Sequence, residues 1–86
     1  MLFSLLLVMK MKASIELFVI KQVRNKRKAF KYNQAELSDK LGASNGFVGQ
    51  VESKKCPQKY NLLHLNALAK IFDCSIRDFF PEKYLD

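Results

Sequence analysis

Two helix boundaries lie close together in the middle of the chain, and they limit what it can fold into. Asn33-Gln34-Ala35-Glu36 has the form of a capping box, with Asn in the place of Ser or Thr and a Glu three positions on. Gly42 supplies the residue best able to close a helix in the left-handed conformation. A helix confined between them is short, turns Leu37 and Leu41 inward, and is followed at once by a change of direction. Ser44 then opens another short helix, with Val48 and Val51 as its apolar face, which fades by Ser53–Lys55.

The flanking segments follow the same period. From Ile15 to about Phe30, the residues Val19, Val23 and Phe30 recur at helical spacing, with Phe18 and Ala29 beside them and Lys and Arg on the other face. Tyr32–Asn33 breaks the run, and Cys56–Tyr60 reads as a loop. Asn61 caps a further helix with Leu62, Leu65, Leu68, Ala69 and Phe72 at core spacing. Ser75-Ile76-Arg77-Asp78 is a second capping box, opening a short helix that carries Ile76, Phe79 and Phe80 and stops at Pro81. No segment shows sustained alternation of period two, so the expected fold is all-α, with five helices. Residues 15–86 form the expected domain and residues 1–14 an apolar N-terminal extension. A domain of 86 residues buries only about 60–65% of the surface of its unfolded chain, which leaves no room for a deep catalytic cleft.

Charge selects the class of partner. The chain carries 15 Lys+Arg against 8 Asp+Glu, a net of +7, which points to a polyanion, either nucleic acid or an anionic membrane. The surplus is uneven: residues 10–59 carry a net of +8 and residues 60–86 a net of −1. A membrane-surface protein would join its basic face to an apolar one, whereas here the apolar stripe is committed to the core, so no membrane is expected. The segment Met1–Met9 is apolar but far shorter than the ~20 residues needed to span a bilayer. Its positive charges, Lys10 and Lys12, follow the apolar run, whereas a signal peptide carries them before it. That leaves two readings: a start at Met9 or Met11, or an extension packed on the domain or on a second subunit.

Cys56, Cys74 and His64 are too irregularly spaced for a zinc site, so no metal or cofactor is expected, and both cysteines read as free cytosolic thiols, Cys74 in the core. One histidine, two scattered cysteines and no paired carboxylates on a shared face give no catalytic constellation, so the chain reads as a non-enzyme.

Two short helices joined by Gly42-Ala43-Ser44 make a helix-turn-helix. Residues 17–80 resemble the phage-repressor/Cro (XRE) helix-turn-helix family. The string Gln34-Ala35-Glu36-Leu37-Ser38-Asp39-Lys40-Leu41-Gly42 is similar to that family's first motif helix and turn. Ala43-Ser44-Asn45-Gly46-Phe47-Val48-Gly49-Gln50-Val51-Glu52 matches its turn and recognition helix. Leu65-Asn66-Ala67-Leu68-Ala69-Lys70-Ile71-Phe72-Asp73-Cys74-Ser75, followed by Asp78-Phe79-Phe80, fits its closing helices. The resemblance implies a lambda-repressor-like bundle that reads the major groove of double-stranded DNA with the helix from about Ser44 to Ser53.

It also implies roles. Ser44, Asn45, Gly46, Phe47 and Gln50 fall at base-reading positions, where Asn and Gln can make two-point contacts with adenine. Phe47 either packs on a thymine methyl or packs within the fold, and Gly49 permits close approach either to DNA or to the preceding helix. Asn33 and Gln34 fall at backbone contacts on a helix start, where Asn33 can also serve as a cap. Lys54, Lys55 and Lys59, joined by Lys28 and Lys31, are expected on the phosphates. Arg27 and Glu52 match the family's structural ion pair. The expected protein is a cytoplasmic, dimeric transcriptional regulator of the repressor type. The alternative is an antitoxin-like or other protein-interaction module on the same fold, with a protein partner.

Overall fold

The computed structural model describes residues 12–86, so the expectations attached to Met1–Met9 lie outside the described residues. Four α-helices follow one another: α1 (Ser14–Ala29), α2 (Gln34–Lys40), α3 (Phe47–Glu52) and α4 (Leu62–Ile71). A 3₁₀ turn at Ile76–Phe79 stands where the fifth helix was expected. Among the described residues there is no strand, and no helix long and apolar enough to cross a membrane.

The caps explain the boundaries. At Asn33, the Glu36 N–H donates to Oδ1 at 2.7 Å and the Asn33 N–H donates to the Glu36 carboxylate at 2.8 Å, a complete capping box. Helix α2 ends in a Schellman motif: the Gly42 N–H reaches Asp39 O at 2.9 Å and the Ala43 N–H reaches Ser38 O at 3.0 Å, with Gly42 at φ +71°. The ends of α1 and α4 use the same motif without glycine. Lys31 (φ 60°) and Asp73 (φ 51°) take the left-handed position there, at a cost of about 1 kcal/mol or more for a residue with a Cβ.

Two expected boundaries differ. The missing fifth helix is a matter of space. Ser75 Oγ accepts the Arg77 N–H at 3.1 Å, while Pro81 restricts Phe80 to extended backbone (φ −111°, ψ 151°), so only four residues remain between cap and stop. Regular helix in α3 begins at Phe47 rather than Ser44. The Phe47 N–H bonds Ser44 O at 3.0 Å, which makes Ser44–Gly46 a turn leading into the helix.

The core gathers Val19 and Val23 of α1, Leu37 of α2, Val48 of α3, Leu65, Leu68, Ala69 and Phe72 around α4, and Phe79 of the 3₁₀ turn. Leu41 and Cys74 pack against it, and both cysteines are free. Phe30 and Leu62 depart from the expected core. Phe30 sits at the rim, its ring centroid 5.1 Å from that of Phe72. Leu62 is 74% exposed, because the apolar stripe of α4 runs on past the core. There it lines an open groove with Ile15, Val19, Ile20, Tyr60, Leu65 and Phe80. Ile76 and Phe80 lie at the margin and Phe79 alone of that segment is fully buried.

Helix α4 carries an unusual cap. Asn61 Oδ1 accepts the His64 N–H at 2.8 Å, and the Asn61 N–H donates back to His64 Nδ1 at 3.0 Å, so imidazole fills the role usually taken by Glu or Gln. Only neutral imidazole with its proton on Nε2 can accept there. Burial holds the His64 imidazole below its ordinary value of 6.5. The unfolded chain therefore takes up this proton first, and the stability due to neutral His64 is complete above about pH 6.5 and lost as pH falls through the folded value. The denaturation midpoint is expected to drop between about pH 7.5 and pH 5.5. His64→Gln, which keeps a capping acceptor, should remove that part of the slope; an unchanged slope in the variant would place its origin elsewhere.

Candidate nucleic-acid interface

One buried hydroxyl sets the angle between α2 and α3. Ser38 is fully buried; its Oγ donates to Gln34 O at 2.9 Å and accepts the Val48 N–H at 3.0 Å. An amide from the first turn of α3, which has no acceptor within its own helix, is thereby satisfied from α2. The lack of a side chain at Gly49 completes the contact, since a Cβ there would stand 3.1 Å from Gln34 Oε1. The close approach at Gly49 is to the preceding helix.

Behind α3 lies a charged clamp. Arg27 donates through Nε to Glu52 Oε2 at 2.9 Å and through Nη2 to Oε1 at 2.8 Å, while its Nη1 reaches Tyr32 O at 2.9 Å. The two side chains are 9% and 5% exposed. Gln34 Nε2 donates to the same Glu52 Oε1 at 2.9 Å, and Arg24 Nε stands 3.7 Å from it. One carboxylate thus ties α1, the α1–α2 connection, the start of α2 and the end of α3. Tyr60 lies nearby, where burial, with Glu52 adding to it, pushes the phenol well above its ordinary value.

The outer surface is different. Ser44, Asn45, Gly46 and Gln50 are exposed around the turn and α3. Phe47 is not among them: it is half-buried, with its ring 4.8 Å from His64 and 6.0 Å from Tyr60, centroid to centroid. Of the two readings of Phe47, packing within the fold is the one observed. Lys54 and Lys55 are exposed just past α3, and Lys28 and Lys31 are exposed at the end of α1. Lys59 is drawn aside into an ion pair with Glu16 at 2.9 Å. Asn33 and Gln34 are also exposed, yet both side chains are engaged, Asn33 in its cap and Gln34 on Glu52.

Lys12 occupies a place its sequence position does not announce. Its Nζ donates to Val51 O at 2.6 Å and to Ser53 O at 2.7 Å, at the carbonyl end of α3. Burial is the largest influence on this ammonium and lowers its pKa, with Lys59 acting in the same sense and Cys56 and Glu16 opposing. Ser38 did leave a signal: a lone hydroxyl on the inner face of a short helix, beside Leu37 and Leu41, needs a partner. Among the described residues no group of His, Cys, Asp and Glu could hold a metal ion.

No protein-family model and no curated protein matches this chain. A solved structure does: the restriction-modification controller protein C.AhdI from Aeromonas hydrophila, 26% identical. The likeness covers 74% of this chain and 96% of that one, with a TM-score of 0.62. The chain folds as a helix-turn-helix protein similar to this controller protein.

In this helix-turn-helix arrangement the buried ion pair is the element most exposed to loss. Arg27→Met removes three donors and leaves buried Glu52 with only Gln34 and the more distant Arg24, at an expected cost of up to about 3–5 kcal/mol, because a buried charge that loses its main partner costs more than the intact pair contributes. Arg27→Met combined with Glu52→Leu should recover a large part of that loss. Urea denaturation of the two variants checks both statements. A single variant as stable as the parent would show that the clamp does not hold the motif together.

Proposed function

We propose that this chain is a sequence-specific double-stranded DNA-binding transcriptional regulator that inserts α3 and the turn before it into the major groove. The observation that carries this reading is the distribution of charge and free amides around α3. The one charge in α3, on Glu52, is neutralised from behind by Arg27, and the exposed side lacks charge. Asn45 and Gln50 are exposed there, and both amides can present a donor and an acceptor to adenine N7 and N6. Ser44 and Gly46 complete the reading surface, Ser44 as a hydroxyl donor or acceptor and Gly46 as a position that lets backbone approach the bases. Lys54 and Lys55, with Lys28 and Lys31, supply the cations that hold the sugar-phosphate backbone. Asn33 and Gln34 present the start of α2 to a phosphate, and their engaged side chains leave backbone amides as the donors. The controller role in the name of C.AhdI supports a regulatory reading.

These roles separate by measurement. Gln50→Ala should relax base preference at one operator position by about 1–3 kcal/mol and leave the salt dependence unchanged. Lys55→Ala should weaken all duplexes alike and reduce the slope of log K against log salt by about 0.9. If no duplex is bound even at low salt, the DNA role is excluded.

We further propose that the regulator acts as a homodimer joined through the groove at the start of α4. Leu62, 74% exposed, lines this groove with Ile15 and Phe80, and an apolar surface of this kind normally marks an interface. A two-fold pair would place two α3 helices on half-sites about one helical turn apart. Leu62→Glu should give a monomer by light scattering with the fold retained by circular dichroism. A dimer that survives this change places the interface elsewhere, and recovery of one stoichiometric protein partner without DNA would favour the interaction-module reading.

A further inference from the structure

Helix α3 is held from three sides. Ser38 fixes its first turn, Arg27 and Gln34 fix Glu52, and Lys12 fixes its carbonyl end. The first two holds come from the helices around the motif. The third comes from a residue ahead of α1, 39 and 41 positions away from its two acceptors.

The chemistry of that hold is specific. Val51 O is among the last carbonyls of α3, for which the helix has no N–H to offer, and Ser53 O belongs to the residue that ends the helix. An ammonium at this position satisfies both and opposes the partial negative charge of the helix end. The last turn of α3 has no basic residue of its own, so the compensating charge arrives from outside. Immediately beyond the pinned carbonyls the chain turns out to Lys54 and Lys55.

We propose that Lys12 is a positioning residue for the reading helix, acting through Val51 and Ser53 rather than on DNA. It sets where α3 ends, and with it the direction of Gln50 relative to Lys54 and Lys55. This rests on the DNA-binding function proposed above. Two of the three ammonium donors are turned to protein carbonyls, so loss of Lys12 alters fit without removing a phosphate contact.

The test uses the full chain, a duplex selected by the parent protein from a randomised pool, and a generic duplex. Lys12→Met keeps the aliphatic stem and removes the charge; Lys12→Arg restores donors and charge. Lys12→Met is expected to weaken the selected duplex by about three- to tenfold, the scale of one lost charge–dipole contact, with the salt slope unchanged. The generic duplex should change less, amide exchange at 53–55 should quicken, and Lys12→Arg should recover most of the affinity. A fall of about 0.9 in salt slope with exchange unaltered would make Lys12 a phosphate contact and overturn the proposal. Parental affinity in Lys12→Met would overturn it as well. Loss of the selected and the generic duplex alike, in proportion to the fraction of Lys12→Met that is unfolded, would show a purely structural role and overturn the proposal. Failure of the parent itself to bind any duplex would sink the DNA-binding function, and is told apart by the parent's own titration.

Discussion

Everything on the α3 side of this molecule depends on the carboxylate of Glu52. It sits at the end of a six-residue helix that could not exist alone, since isolated helices shorter than about 12 residues are not stable in water. Arg27 meets both of its oxygens, Gln34 meets one, and Arg24 approaches from the side. Because Arg27 also holds Tyr32 O, the same guanidinium fixes the end of α1, whose left-handed residue Lys31 is conformationally unfavourable. Such a pair adds little net stability compared with apolar residues of the same volume. What it adds is a single relative placement of α1, α2 and α3, since a bidentate contact tolerates little rotation or slip.

The clamp also sorts the side chains of the motif by obligation. Gln34 and Asn33 lie on the exposed surface but answer to Glu52 and to the α2 cap, and Lys59 answers to Glu16. Asn45 and Gln50 carry no such duty among the side-chain hydrogen bonds of the described residues, which leaves their amides free for a ligand. Exposure alone would have grouped all five together. Hydrogen bonding divides them into residues that shape the surface and residues whose amides stay open on it.

Much of this was legible in the sequence where one residue type has one physical use. The Asn33–Glu36 box and Gly42 at the left-handed cap are of that kind, whereas the pairing of Arg27 with Glu52 was implied by the family resemblance. Legibility failed where the deciding partner is distant or the residue versatile. Lys31 and Asp73 close helices in a conformation that favours glycine, so nothing at those positions announces it. Leu62 continues a correct apolar stripe, but periodicity cannot say where the core ends. Phe47 stands at a position that resemblance assigns to base reading, yet its size carries it onto Tyr60 and His64. The fifth helix was a pattern of a real cap and a real stop with too few residues between them.

Rigidity and freedom are therefore arranged on opposite sides of one short helix. A reader of base edges must hold its backbone still, because hydrogen-bond geometry tolerates only a few tenths of an ångström, while its outward side chains stay unpaired until the ligand arrives. Six residues cannot supply that stillness by helix propensity, and Gly49 within them lowers it further. The fold supplies it instead, through a hydroxyl at the first turn, an ion pair at the last residue and an ammonium on the final carbonyls. Each of these contacts uses the inner side or an end of α3, so none occupies its exposed side. The glycine then becomes intelligible as a consequence of this arrangement: a helix held from outside can give up propensity at Gly49 in exchange for the approach of Gln34, which is one of the groups that holds it.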